Sequence, residues 1–251
     1  MSDLVAYYMA TPPIARTVAT AVFASSVGIY TGLLPSYHFF FHKSLLFKLV
    51  PEVHRCVTSF LLTGPQMAVL FDTYFVYHYL SQLERGSKFA KKEDLIWYLM
   101  FVGSVIIFLN STLTGAAYYL QALLIGMCYT ACQDMRGATA HFYIITIPAQ
   151  MMPYCLLLVQ LLFPNGVENL KVGLTGLLAA HLHDFLTRIY PEFGNGPNLI
   201  PTPGFLSYFM RTPRIQNTGY GTAIRPKDKA AGSGGPLPDA WRSKGPGRRL
   251  G

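Results

Sequence analysis

The chain has 251 residues, of which 51% are hydrophobic and 13% charged, and its mean hydropathy is +0.32. That is too apolar for an ordinary soluble domain, and it points to a membrane. The formal charge of +8 does not indicate nucleic acid, because ten of the twenty Lys and Arg residues lie from Arg188 onward, so the basicity belongs to one tail.

The opening MSDLVAYYMATPPIAR is acidic before it is basic and has no cleavage-site pattern, so no removable signal peptide is expected. A first span is expected over about residues 17–34, after Pro12 and Pro13 and before Pro35. Residues 35–55 mix aromatic side chains with Lys43, Lys48 and Arg55 around Pro51, which suits an interfacial loop or short amphipathic helix on one leaflet. A second span over about 57–80 embeds Gln66 and Asp72 among apolar neighbours, with Gly64 and Pro65 bending it. Arg85, Lys88, Lys91 and Lys92 then mark a cytoplasmic loop.

Spans three and four, about 95–114 and 116–133, are separated by the cluster Asn110, Ser111 and Thr112 and form an antiparallel hairpin. A fifth span is expected over about 138–163, around Pro148 and Pro153, and a sixth over about 170–188, stopping at Pro191. The positive charge puts both termini in the cytoplasm. The expected fold is therefore an all-α bundle of six membrane helices within residues 1–210, followed by a disordered basic cytosolic tail, 211–251, too poor in large apolar residues to fold alone.

Within the sixth span, Gly173, Gly176, Ala180 and Asp184 fall on one helical face, where a neighbouring backbone can approach closely. His181 and His183 are not four residues apart, so they do not make a metal pair, and no metal or cofactor is expected. Asp184 and His183 are expected at the water interface beside Arg188. His181, deeper, is read either as an imidazole hydrogen-bonded to another helix or as a chemical group. Gln66, Asp72, Asn110 and His181 either line a lateral wet cavity or bond helix to helix. The cysteines, Cys56, Cys128, Cys132 and Cys155, lie mostly in apolar runs and report no disulfide framework.

Several short matches resemble, in order, the Derlin family, rhomboid-like pseudoproteases of the endoplasmic reticulum. They are Pro12, Pro13, Ile14 and Arg16; Arg55 ahead of the second span; Leu83, Glu84, Gly86 and Phe89; Gly176, Ala180, His181, Arg188, Tyr190 and Pro191; and Thr202, Pro203, Phe205 and Leu206. Three features depart from the family pattern: His54 precedes Arg55 where a Trp is usual, Ala180 stands for a second glycine, and Ser243 occupies an aromatic place in the terminal peptide. The resemblance implies a rhomboid-like bundle in the endoplasmic reticulum membrane that helps misfolded proteins leave for cytosolic degradation. Its implied partners are those substrates, a ubiquitin ligase complex, the lipid bilayer and an AAA segregase. The segregase would be docked by Trp241, Gly245, Gly247, Arg249 and Leu250, set against the reading of a plain flexible end. Arg55, with His54 beside it, is implied as an anchor of the first loop.

No Gly-x-Ser-Gly occurs in the sequence, so the serine of an active rhomboid is missing. Cys128 stands near the nucleophile's place, with His181 as a candidate base, but a thiol in an apolar helix is poorly activated and Tyr129 crowds the oxyanion position. A non-catalytic role is expected. A Cys128/His181 protease and a membrane-shaping protein remain as alternatives, whereas a transporter would be expected to show internal repeats, which are not seen.

Overall fold

The computed structural model describes residues 6, 8–43, 52–89, 91–135, 137–142, 145–162, 165–194, 199–210, 215–218 and 221–224. It is mostly helical. Helix α1, Pro13–Tyr30, begins with proline in its first turn, where the missing N–H costs nothing. A one-turn helix α2, Arg55–Thr58, precedes α3, Ala68–Arg85; then come α4, Lys92–Leu113, and α5, Leu120–Asp134. A β-hairpin, β1 Thr139–Phe142 with β2 Ile145–Pro148, leads to α6, Met152–Gln160, and α7, Gly166–Asp184. Helix α7 continues through a π-turn, Phe185–Ile189, into the short α8, Tyr190–Gly194, and α9 spans Gly204–Met210.

Helices α1, α4 and α6 run one way and α3, α5 and α7 the other. Asp72 beside Gln121 sets α3 parallel to α5, and Tyr129 bonding His181 sets α5 parallel to α7. The end where α1 begins is called the near end. Helix α5 is the axis of the bundle: it packs most extensively on α7 and also touches α3, α4 and α6. Its Ala122, Ile125, Met127 and Cys128 are fully buried. Side chains with large apolar surface are instead left outward on the outer helices, among them Phe71 and Tyr74 on α3, Met100 and Phe108 on α4, Leu158 on α6, and Leu174, Leu178 and Leu182 on α7. A belt of this kind is what a lipid-facing surface requires.

Three helix boundaries differ from those read in the sequence. The second span is expected to be helical from residue 57, but α3 starts at Ala68. After the turn that ends α2, Thr63 N donates to Ser26 Oγ (3.1 Å) and Gly64 N to Asp72 Oδ2 (3.2 Å), while Gln66 sits at φ +59° after Pro65. The fifth span is expected from residue 138, but β-branched Thr139, Ile145, Thr146 and Ile147 pair across a hairpin and helix begins only at Met152. Pro191 does not stop the chain's helical course. The π-turn immediately before it widens the coil where the proline ring and its missing N–H would break an α-ladder.

Among the described residues one helix, Lys92–Leu113, combines the length and apolarity needed to cross a bilayer, with a window of mean hydropathy 1.8; Leu120–Gln133 is apolar but shorter. The chain divides into two units, Met1–Met210 and Arg211–Gly251. In the second, where disorder is expected, Ile215–Thr218 pairs antiparallel with Gly221–Ile224. Two residues separate these strands, and β-branched Ile215, Thr218, Thr222 and Ile224 favour the extended form.

Candidate functional site

The site where rhomboid chemistry would lie is the seam between α5 and α7. Gly176 lies so close to α5 that a Cβ added to it would stand 1.8 Å from the carbonyl oxygen of Ala122. Gly126 approaches from the other side, its own added Cβ falling 3.1 Å from Gly176 O and 3.6 Å from Ala180 Cβ. Gly173 is covered instead by the side-chain ends of Leu157, Gln160 and Ile125, 2.7–2.8 Å from an added Cβ. Gly173, Gly176 and Ala180 thus form a stripe that brings one backbone against another, and no methyl group fits at Gly176 without moving a helix.

Cys128 and His181 are not brought together. The thiol, fully buried, lies 3.9 Å from the Cys132 sulfur and against the Tyr79 hydroxyl of α3. His181 is exposed, and its Nδ1 is 2.7 Å from the Tyr129 hydroxyl. The thiol is buried in the bundle and the imidazole lies exposed on the flank of α7 with its Nδ1 on Tyr129, so His181 is not placed as a base for Cys128.

The histidines also exchange the environments expected from the sequence. His183 is buried, packed edge-on to Tyr98 (4.9 Å between centroids) and beside Phe101, and Asp184 is 2% exposed. The reason is helical phase. Residue 183 lies seven after Gly176 and three after Ala180, on the face that meets α4 and α5, whereas 181 lies on the flank. That spacing is visible in the sequence. Asp184 is held by Lys88 Nζ (3.0 Å), Arg188 Nε (3.1 Å) and Arg188 Nη2 (2.6 Å). Beside it, Tyr98 donates to Gly126 O (3.0 Å) and pairs with Thr130 Oγ1 (2.7 Å), tying α4 to α5.

The other polar residues singled out in the sequence do not line one shared cavity. Gln66 is exposed in the turn before α3, outside any helix. Asn110 is fully buried and bonds helix to helix: its Nδ2 donates to Ile106 O (2.9 Å) and Thr175 Oγ1 (2.7 Å), and its Oδ1 accepts from Thr114 Oγ1 (2.7 Å). Asp72 is different, because Gln121 also bonds its carboxylate and Gln160 Nε2 donates to Gln121 Oε1 (3.1 Å). A polar chain thus crosses α3, α5 and α6. The sequence reading missed Gln121 and Gln160, although both are amides in apolar runs. Gln121 also lines a recess of about 250 Å³ at the far end with Thr114, Tyr118, Asn165 and Asn169.

The far-end loop is built around Arg55, which is 1% exposed. Its Nη1 donates to the carbonyls of Tyr37 and Phe40 (the latter 2.7 Å), its Nε to Glu52, and its guanidinium lies 4.2 Å from the Tyr37 ring centroid. His54 is exposed, with its ring against His38. Thr58 Oγ1 donates to His38 O (2.8 Å), Tyr119 N to Ser59 O (2.9 Å) and Tyr30 OH to Thr63 O (2.6 Å), which fasten the loop to the bundle. At the near end, Glu84 Oε2 accepts from Ala15 N (3.0 Å), one of the donors that the start of α1 leaves unsatisfied, so the end of α3 caps α1. Phe89 stacks against Tyr98, and Thr202 Oγ1 donates to Asp94 Oδ1 (2.6 Å).

No cluster of three metal-ligating side chains occurs among the described residues. Trp241, Gly245, Gly247, Arg249 and Leu250 lie outside the described residues.

Comparison with known proteins identifies the family of the chain. The model of the Der1-like family matches residues 11–204. The chain is similar to Derlin-1 of Pongo abelii, at 29% identity over 94% of each chain, and to Derlin-1 of Homo sapiens, at 28% over 94% of each. It is also similar to Derlin-1.1 of Zea mays, at 23% identity over 93% of this chain and 96% of the relative.

Proposed function

The chain belongs to the Der1-like family, and from that premise we propose that it is a non-catalytic Derlin of the endoplasmic reticulum membrane that helps misfolded proteins reach the cytosol for degradation. Helices α1, α3, α4, α5, α6 and α7 are its six crossings, and both termini are cytosolic. The outward apolar side chains support the crossings, and the gathering of Arg85, Lys88, Lys91, Lys92 and Arg188 at the near end supports that orientation. The 3-10 turn Ala149–Met151 and the 9 residues of α6 that follow it measure together about 20 Å, less than a bilayer core of about 30 Å. So short a crossing favours local thinning of the membrane, which lowers the barrier for a polar chain to pass.

One observation carries the non-catalytic reading. Where a rhomboid protease needs an activated nucleophile beside a base, the Cys128 thiol is buried against Tyr79 while His181 is exposed on the flank of α7. The partners of this role are misfolded substrates, a ubiquitin ligase complex and the segregase.

The test follows a misfolded membrane reporter in cells lacking the protein and rescued with wild type, Cys128→Ala or Gly176→Leu. Full rescue by Cys128→Ala, failure of Gly176→Leu, and disappearance of the reporter without a discrete fragment are expected. A fragment that vanishes with Cys128→Ala would overturn the reading in favour of a thiol protease. Absence of the ligase from a mild-detergent purification would favour a membrane-shaping protein instead.

A further inference from the structure

Helix α9 lies beyond the last crossing and has no part in the seam, yet it is fixed to the bundle. Thr202 Oγ1 donates to Asp94 Oδ1 at 2.6 Å, and Leu206 is buried at 5% exposure as α9 packs on α4. That attachment sets its depth. Helix α4 is the apolar crossing, and its first turn carries the exposed Lys91 and Lys92 together with Glu93 and Asp94, a charge density that belongs among headgroups rather than in hydrocarbon. Whatever is bonded to Asp94 sits at the same level.

At that level α9 turns two aromatic side chains outward. Phe205 is 58% exposed and Tyr208 78% exposed. Three residues apart, they share one face of the helix, away from the buried Leu206. Phe193 on α8 is 82% exposed at the same end of the bundle. Aromatic rings at headgroup depth match the acyl boundary of a leaflet.

We propose that α9 is an interfacial anchor whose Phe205 and Tyr208 insert into the cytosolic leaflet. The occupant of this face is phospholipid. This inference rests on the membrane reading of α4, and its test separates the two.

The experiment uses the full chain with Trp97→Phe and Trp241→Phe, which removes both native tryptophans, plus Phe205→Trp or Tyr208→Trp. The protein is reconstituted in phosphatidylcholine vesicles brominated at acyl carbons 6 and 7 or at 11 and 12. Where Trp97→Phe does not fold, Trp97 is kept and its quenching subtracted. Either new tryptophan is expected to lose most of its emission to the shallow bromines, less to the deep ones, and little to aqueous iodide. Quenching by iodide but not by bromine would overturn the anchor, leaving the face open to cytosolic solvent. Quenching by neither would also overturn it, because protein would then cover the face. Failure of the membrane reading appears separately, as protein that does not float with the vesicles.

Discussion

Arg55 at the far end and Asp184 at the near end are almost equally buried, at 1% and 2% exposed, but they are held in different ways. Arg55 is caged locally. Its described partners, Tyr37, Phe40 and Glu52, all come from its own loop, two of them as backbone carbonyls. Asp184 is held across the chain, by Lys88 from the loop after α3 as well as by Arg188 one turn on. The first arrangement gives a loop its shape, and the second ties separate helices together. A planar fork that fits carbonyls has no substitute, whereas a carboxylate between two cations tolerates the loss of either one.

The largest effect is expected at Arg55. Arg55→Ala should cost roughly 3–5 kcal/mol, because buried carbonyls lose a charged donor. Arg55→Lys should cost most of that, since an ammonium cannot reach two carbonyls and lie on the Tyr37 ring. Thermal unfolding in detergent checks both, and a lysine variant as stable as wild type would break the contrast.

Next in size, Asp184→Ala should cost about 3 kcal/mol by leaving Lys88, whose side chain is 13% exposed, beside Arg188 without its counter-charge. Lys88→Met alone should cost about 1 kcal/mol, because Arg188 keeps the carboxylate paired. The double variant should be more stable than Asp184→Ala. A strictly additive cycle would show that the near end is not a coupled network.

Smaller still, Asn110→Leu should lose about 0.6 kcal/mol per helix-to-helix hydrogen bond and leave reporter degradation intact. A block in degradation without a loss of stability would show that Asn110 serves substrate rather than packing. A change of opposite sign is expected from Gln66→Gly, which should raise stability by up to about 1 kcal/mol, because Gln66 is exposed with φ +59°, a left-handed conformation that glycine adopts freely. A decrease on the same melting curve would mean that the Gln66 side chain has a role in the loop.

Much of this was legible in the chain, for identifiable reasons. The small stripe of α7 followed from the spacing of Gly173, Gly176 and Ala180. Helices α4 and α5 followed from long apolar runs with a polar cluster between them. The start of α3 was hidden, since only the fold shows that Ser26 and Asp72 capture the backbone donors of Thr63 and Gly64 and stop helix there. The β1–β2 hairpin was misread because an apolar run is ambiguous between buried helix and strand, and the β-branched residues that decide it were outweighed by hydropathy.

The sequence by itself determined that the chain is apolar, helical and basic at one end, because composition and period act locally and need no partner. It also contains no Gly-x-Ser-Gly. Tertiary structure alone decided which polar groups meet. His183 rather than His181 is buried, Tyr129 rather than Cys128 takes the imidazole, and Glu84 caps a helix 69 positions away. Those choices depend on how α3, α4 and α7 are rotated against α5, and for α7 that rotation is fixed where Gly176 and Gly126 let two backbones touch.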